Sequence, residues 1–223
     1  MSDAAALSRT LSARRSCRAF LPDPLPATLI EEIVAEAQRV PSWCNAQPWH
    51  LVVTSAAETD RLRESLTEEM KSASHQPDIP FPNRYEGVYK DRRRACGWQL
   101  YGAVGVEKGD RDGAHQQMME NFRFFGAPHV AVLTSEAELG AYGLVDCGGF
   151  LTALTLAAAA RNVATIPQAA LASYAPLLHR FFDLPDTRTV VCGISLGRAD
   201  ARHPANNFRT DRADLSEVLQ WQG

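Results

Sequence analysis

The spacing of the short apolar runs constrains this chain most. Three stretches read as strands: HLVVT (50–54), HVAVLT (129–134) and TVVCGISLG (189–197). A fourth, ATIPQAAL (164–171), reads as a strand running into a loop, its proline interrupting regular pairing. Between them lie longer segments of helical period. Leu7 and Leu11 are four apart. Pro26 sits where a helix begins, with Leu29, Ile30, Ile33, Val34 and Ala37 on its buried face. Ser55 and Glu58 form a capping-box pattern before Leu62, Leu66 and Met70. Helical pattern resumes after a proline-rich loop (74–87) up to about Glu107, and again from about Ala114 to Phe125. Ala141–Arg161 reads as a central buried helix, and Ser173 as the cap of another reaching Phe182. Few strands separated by long helices give an α+β or α/β domain with a small sheet buried between helices.

A chain of 223 residues can bury a sizeable core without disulfides or structural metals. Its formal net charge of −3 disfavours a general nucleic-acid binder. The five cysteines are isolated, with no C-x-x-C pair, which argues against a disulfide framework or zinc site and suits a reducing cytoplasm. The start, MSDAAALSRTLSARRS, lacks the apolar core of a secretory signal. The apolar stretch 150–160 is too short to span a bilayer, so no membrane partner is expected. No G-x-G-x-x-G or P-loop pattern occurs.

Three segments can carry chemistry. RRSCR (14–18) packs three arginines and a serine into five residues, a donor set suited to bidentate phosphate contacts or simply a solvated basic edge. The distant tail adds Arg209 and Arg212, which would hold the same phosphate if the fold brought them to the first cluster. PSWCNAQPW (41–49) mixes small, amide and aromatic groups, suited either to a flat heteroaromatic ring or to turn chemistry around a core Trp49. ATIPQAAL can leave backbone N–H groups free to donate elsewhere. His50 and His129 flank strands and read as structural, as do Asp146 and Cys147; Phe122, Phe124 and Phe125 read as core or pocket lining.

In this order and spacing, RRSCRAF (14–20), PSWCNAQPWHLVV (41–53), GLVDCGGFLTALTLAAAARNVATIPQAA (143–170) and VVCGISLGRADARHPANNFRTDRADLSEV (190–218) resemble the nitroreductase superfamily of flavoenzymes over nearly the whole chain. The resemblance implies a single α+β domain (1–223) with a mainly antiparallel sheet between helices. It implies an extended C-terminal arm (198–223) exchanged in a homodimer with FMN sites at the interface. Arg14, Arg15 and Ser16 would contact the phosphate and ribityl chain. Arg18 would reach the N1–C2=O side of the ring, stabilising the anionic reduced flavin. Pro41, Ser42, Trp43 and Asn45 would lie near the ring from the partner subunit. Ile166 and Pro167 would cover one ring face, and the backbone N–H near Gln168 would face flavin N5. Arg212 would hold the phosphate, with Arg209 the second choice. Two departures stand out: Trp43 replaces a small residue, and Asn162 a glycine.

The implied chemistry is ping-pong hydride transfer. NADH or NADPH reduces the flavin, and a small aromatic acceptor, most similarly a nitroaromatic such as a nitrobenzoate, takes the electrons. No side-chain acid or base and no metal ligand is assigned. Enone reduction or reductive dehalogenation on the same scaffold, and a non-catalytic flavin sensor or store, are the alternative readings.

Overall fold

A computed structural model describes residues 2–222. In chain order the elements are α1 (Asp3–Ala13), α2 (Ala27–Ala37), β1 (His50–Val53), α3 (Ala56–Glu69), α4 (Gly87–Ala103), α5 (Arg111–Met119), β2 (His129–Glu136), α6 (Gly140–Ala160), β3 (Ala164–Gln168), α7 (Ala169–Ala172), α8 (Ala175–Phe182) and β4 (Arg188–Gly197). The strands form one antiparallel sheet in the order β1-β2-β4-β3. Helices cover both faces, as an α+β fold requires.

The sheet separates two cores. Strand alternation sends Val130 and Val132 of β2 to one face, beside Leu62 and Leu66 of α3 and Leu171, Leu177 and Leu178 of α7 and α8. Ala131 and Leu133 face the other way, toward Ile33 and Ala37 of α2 and Cys147, Phe150 and Leu154 of α6. The register shifts between Leu133 and Thr134, where β4 contributes Cys192 and then Val190 as partners. This bulge changes the parity of β4: Cys192 and Ile194 join the α6 core, whereas Val190 joins the α3 core. Gly193 admits α7, because a Cβ there would stand 2.3 Å from Leu171 Cδ1.

Several expectations are corrected. HLVVT is not fully buried: β1 is an edge strand and its four residues are exposed or half-buried. The proline in ATIPQ does not interrupt pairing. Pro167 stands opposite Ile194 within β3, tolerated because β3 is the other edge. Ser173 does not cap α8; it closes α7, and Tyr174 precedes α8 with no side-chain cap. Helix α5 stops at Met119, because Phe124 and Phe125 take left-handed backbone. With its preceding turn, α6 forms a continuous 24-residue helical span, Ala137–Ala160, long and apolar enough by length and composition to cross a bilayer. One face of it packs on β2, β3 and α2, and the opposite apolar face is left exposed.

Ser55 accepts the Glu58 N–H at 3.3 Å, but Glu58 reaches Arg61 at 2.7 Å, so only half of the sequence's capping box is engaged. His129 is structural, as expected. Its Nδ1 lies 2.8 Å from the Thr54 carbonyl and its Nε2 accepts the Leu25 N–H at 2.9 Å, which fixes a neutral tautomer. Phe122, Phe124 and Phe125 are core.

Candidate functional site

The basic segment RRSCR docks along the outer edge of β3. Arg14 ends α1, and its N–H donates to the Thr10 carbonyl at 3.0 Å. Ser16 then bridges Thr165 in parallel, and the Cys17 N–H donates to the Thr165 carbonyl at 3.0 Å. Arg14 and Arg15 line a cavity of about 210 Å³ closed by Thr155 and Ala159 of α6, by Asn162, and by Ala164 and Thr165 of β3. The small residues of α6 leave the room. Asn162 makes the turn from α6 into β3 with φ 56°, a left-handed position asparagine can take in place of glycine.

Arg15 Nε is buried and has no hydrogen-bond partner. An orphaned buried guanidinium donor is costly unless an acceptor is supplied. Arg209 has its pKa lowered first by desolvation and then by the like charge of Arg15. The tail thus returns near enough to the first cluster for the two charges to be felt, although Arg209 is exposed and its Nη1 also donates to the Asn206 and Phe208 carbonyls at 3.2 and 2.8 Å. Arg212 does not converge there. Its Nη1 donates to Thr210 O, Thr210 Oγ1 and Asp211 O at 3.1, 3.0 and 2.9 Å, in a separate cleft between the tail and Arg92, Cys96 and Gln99 of α4.

Arg18 lies over the Phe208 ring, 5.5 Å from its centroid, and its N–H donates to Asn206 Oδ1 at 2.8 Å. Burial holds its pKa below the usual arginine value. Asn206 also donates to the carbonyls of Ala19 and Asp200, both at 2.9 Å. The tail as far as Asn207 is thus fastened to the chain's own residues 18–21. Sequence reasoning missed this buried asparagine, which fixes where the tail turns.

In β3, Ile166 and Pro167 are adjacent in an extended strand and so point to opposite faces. Ile166 is committed to the core, leaving Pro167 half-exposed. The Gln168 side chain is fully engaged: Oε1 accepts from Ser195 Oγ at 2.5 Å, and Nε2 donates to the Asn121 carbonyl at 2.8 Å. This buried amide pins the end of β3 between β4 and the turn after α5.

The loop Pro41–Asn45 stands apart from these groups. Cys44, Asn45 and Gln47 all have positive φ. Asp146 Oδ1 and Oδ2 accept the Trp43 N–H at 3.2 and 3.0 Å, and Ser42 Oγ accepts the Gln47 N–H at 2.9 Å. The Trp43 ring packs on Tyr142 of α6, centroids 5.0 Å apart. Trp49 instead stacks on Phe150 in the core at 5.2 Å. Tyr142 precedes Thr155 by thirteen residues of one helix, which places the loop about 20 Å along α6 from the arginine cavity of the same chain. One chain does not bring Trp43 to Arg15.

A sequence model of the Nitroreductase family matches residues 11–198. The chain is 36% identical over 221 residues to nitroreductase NfnB of Mycolicibacterium smegmatis, covering 98% of this chain and 93% of the relative. It is 35% identical over 213 residues to a 4-nitrobenzoate reductase of Pseudomonas putida, covering 96% and 94%. The structure superposes with a TM-score of 0.94 and 34% identity, over the full length of both chains, on the FMN-dependent nitroreductase NfnB from Mycobacterium smegmatis in complex with NADPH. An iodotyrosine deiodinase bound to FMN, with a TM-score of 0.62 at 16% identity, shares the fold alone. The edge-docked arginine segment, the returning tail and these full-length matches together establish that the chain belongs to the nitroreductase family.

Proposed function

We propose that the protein is an FMN-dependent oxidoreductase that draws electrons from NADPH or NADH and reduces small nitroaromatic acceptors. The observation that carries this reading is the unpartnered, buried Arg15 Nε in a cavity it shares with Arg14. That donor set fits a phosphate, and relatives of this chain are described as FMN-dependent. Arg14, Arg15, Ser16 and Arg209 would hold the phosphate end; Arg18, Pro167 and the Gln168 backbone would face the ring. When bound, FMN would supply ping-pong two-electron chemistry between the nicotinamide and the acceptor. Arg18 would contribute a partly desolvated positive charge that favours the anionic reduced ring. The engaged Gln168 amide keeps the strand end rigid. NADPH is the first donor to test, since relatives are described with it.

The assembly proposed is a homodimer. The face of α6 turned away from the sheet carries Ala141, Tyr142, Val145, Gly148, Gly149, Thr152 and Leu156, without a charged residue. A Cβ added at Gly148 or Gly149 would meet nothing within 4 Å, so this chain's own packing does not require either glycine. Helix-interior glycine costs about 0.5–1 kcal/mol relative to alanine, which a close helix contact across a two-fold axis would offset. An antiparallel crossing near Gly148 and Gly149 pairs Tyr142 with Thr155 of the partner subunit. The Trp43 loop of each chain then meets the arginine cavity of the other. The protein is proposed to act in the cytoplasm, where its free cysteines stay reduced.

The test is the visible spectrum of purified protein supplied with FMN, before and after anaerobic NADPH. A bound-flavin spectrum that bleaches, and recovers on adding 4-nitrobenzoate, supports the proposal. A flavin band indifferent to either nucleotide would indicate a carrier rather than an enzyme. Absence of any bound flavin would overturn the cofactor assignment.

A further inference from the structure

The turn after α5 ties together the two segments read as holding the flavin ring. Arg18 and Phe125 line one cleft, and the Phe20 N–H donates to the Phe125 carbonyl at 3.1 Å. At the start of the same turn, the Asn121 carbonyl accepts Gln168 Nε2 at 2.8 Å. Residues 121–125 therefore bridge the arginine segment and the end of β3. The turn is held in place, because Phe124 and Phe125 take left-handed backbone and both side chains are buried. Gln168 is also buried, and its orientation is determined. A backbone carbonyl only accepts, so the amide nitrogen faces Asn121, Oε1 faces Ser195, and the Ser195 hydroxyl must donate. Ser195 lies wholly buried in β4. A strand rises about 3.3 Å per residue, which puts Gln168 about 10 Å along β3 from Thr165 at the arginine cavity. A ribityl chain covers that span between phosphate and ring.

Resting on the flavin reading above, we propose that Ser195 is a positioning residue for the bound ring: through Gln168 and the Asn121 carbonyl it sets the separation between the end of β3 and Arg18, the two sides from which the ring is held. Without the Ser195 hydroxyl, Gln168 Oε1 is left buried and unpaired. The amide relieves this only by turning, which breaks its bond to Asn121. The end of β3 and the turn then part, and the charge of Arg18 stands farther from the ring. Coulomb attraction falls with distance, so the anionic reduced ring loses more than the neutral oxidised one. The phosphate end is untouched, since Arg14 and Arg15 lie at the other end of β3 beside Ala164 and Thr165. Ser195 thus acts on the reduction equilibrium and not on retention of the oxidised cofactor.

Two measurements on the FMN-bound protein test this: the midpoint potential of the flavin, read by equilibration with a reference dye, and the dissociation constant of oxidised FMN. Ser195→Ala should move the reduction equilibrium about tenfold toward the oxidised flavin, the scale of one hydrogen bond, which for a two-electron couple lowers the potential by about 30 mV. Its affinity for oxidised FMN should match the wild type. Gln168→Met, similar in size but without either bond, should lower the potential at least as far. Ser195→Cys, nearly the same size with a weak S–H donor, should fall between. An unchanged potential in both Ser195→Ala and Gln168→Met would overturn the proposal. So would a potential that falls only in step with weakened FMN binding and a lowered melting temperature, the mark of a merely structural serine. Should Ser195→Ala not fold, Ser195→Cys carries the same comparison. A wild-type protein that holds no FMN would overturn the underlying flavin reading and this proposal with it, a result visible before any variant is made.

Discussion

Arg15 and Arg209 come from opposite ends of the chain, and the charge of one depresses the pKa of the other. The orphaned Arg15 Nε and the nearby charge of Arg209 are both offered to an anion, so removing either should be felt in cofactor retention. Arg15→Ala or Arg209→Ala should weaken FMN by about 10- to 100-fold, the scale of a lost charge-assisted hydrogen bond. Arg212→Ala, whose guanidinium lies in the separate cleft against α4, should weaken it far less. Fluorescence of FMN released on dialysis gives the comparison, and equal loss in all three would refute the geometry. Residues also set an alkaline limit. Burial pushes the Cys147 thiol up to about 11, and burial with the nearby Cys147 pushes Cys192 up to about 12, from an ordinary 9.0. Both folded values lie above the unfolded one. Their contribution to stability is therefore full below pH 9 and is lost as pH rises through 9 toward 11–12. The unfolding free energy from denaturant titrations should fall above pH 9 by about 1 kcal/mol per pH unit per thiol. Cys192→Ala should flatten that limb. A midpoint insensitive to pH between 8 and 10.5 in the wild type would contradict the buried state of these thiols.

Elements are joined here by residues with demanding backbone. The turn from α6 to β3 passes through Asn162 at φ 56°, and the cavity that holds Arg15 depends on that turn. Asn162→Ala should cost about 1 kcal/mol, because an alanine Cβ resists the left-handed region, whereas Asn162→Gly should be tolerated. Thermal melts of the two variants decide the matter; the alanine variant melting with the wild type would refute it. At this scale the sequence was readable where a period was long and bounded. α2, with Pro26 at its start, and β4 were both visible. The edge character of β1 was not, because HLVVT is as apolar as a central strand and only the sheet order exposes it. Nor could periodicity show that α5 ends at Met119. Phe122, Phe124 and Phe125 continue an apolar pattern, but two of them adopt left-handed backbone to reach the core.

The whole molecule carries a helix face that one chain does not use. Gly149→Leu places a side chain where this chain has nothing within 4 Å and improves helix propensity by roughly 1 kcal/mol, so an isolated chain should accept it. A dimer crossing at that glycine should not. Sedimentation is expected to give a mass near 24.5 kDa for the variant and twice that for the wild type; a dimeric variant would refute the crossing. Within the proposed arm 198–223, the segment up to Asn206 is bonded to this chain's own residues 18–21. Ending the chain at Asn207 keeps Asn206 and its bonds to Arg18 and Ala19, so the variant should stay folded while losing FMN and partner. Ending it at Gly197 also strips the acceptor at Arg198 from the Leu21 N–H and should lower the melting temperature. Equal melts for the two truncations would show that the fastened segment contributes nothing.

The sequence by itself determined the longer, clearly bounded elements, the family resemblance and the cationic segment, because period and residue chemistry are local properties written along the chain. Tertiary structure decided which arginine of the tail returns to Arg15, that Ile166 belongs to the core while Pro167 stays half-exposed, and that the Trp43 loop lies about 20 Å along α6 from the cavity of its own chain. The physical reason is that each depends on distances between residues far apart in the chain. Those distances are fixed only when the sheet and α6 pack together.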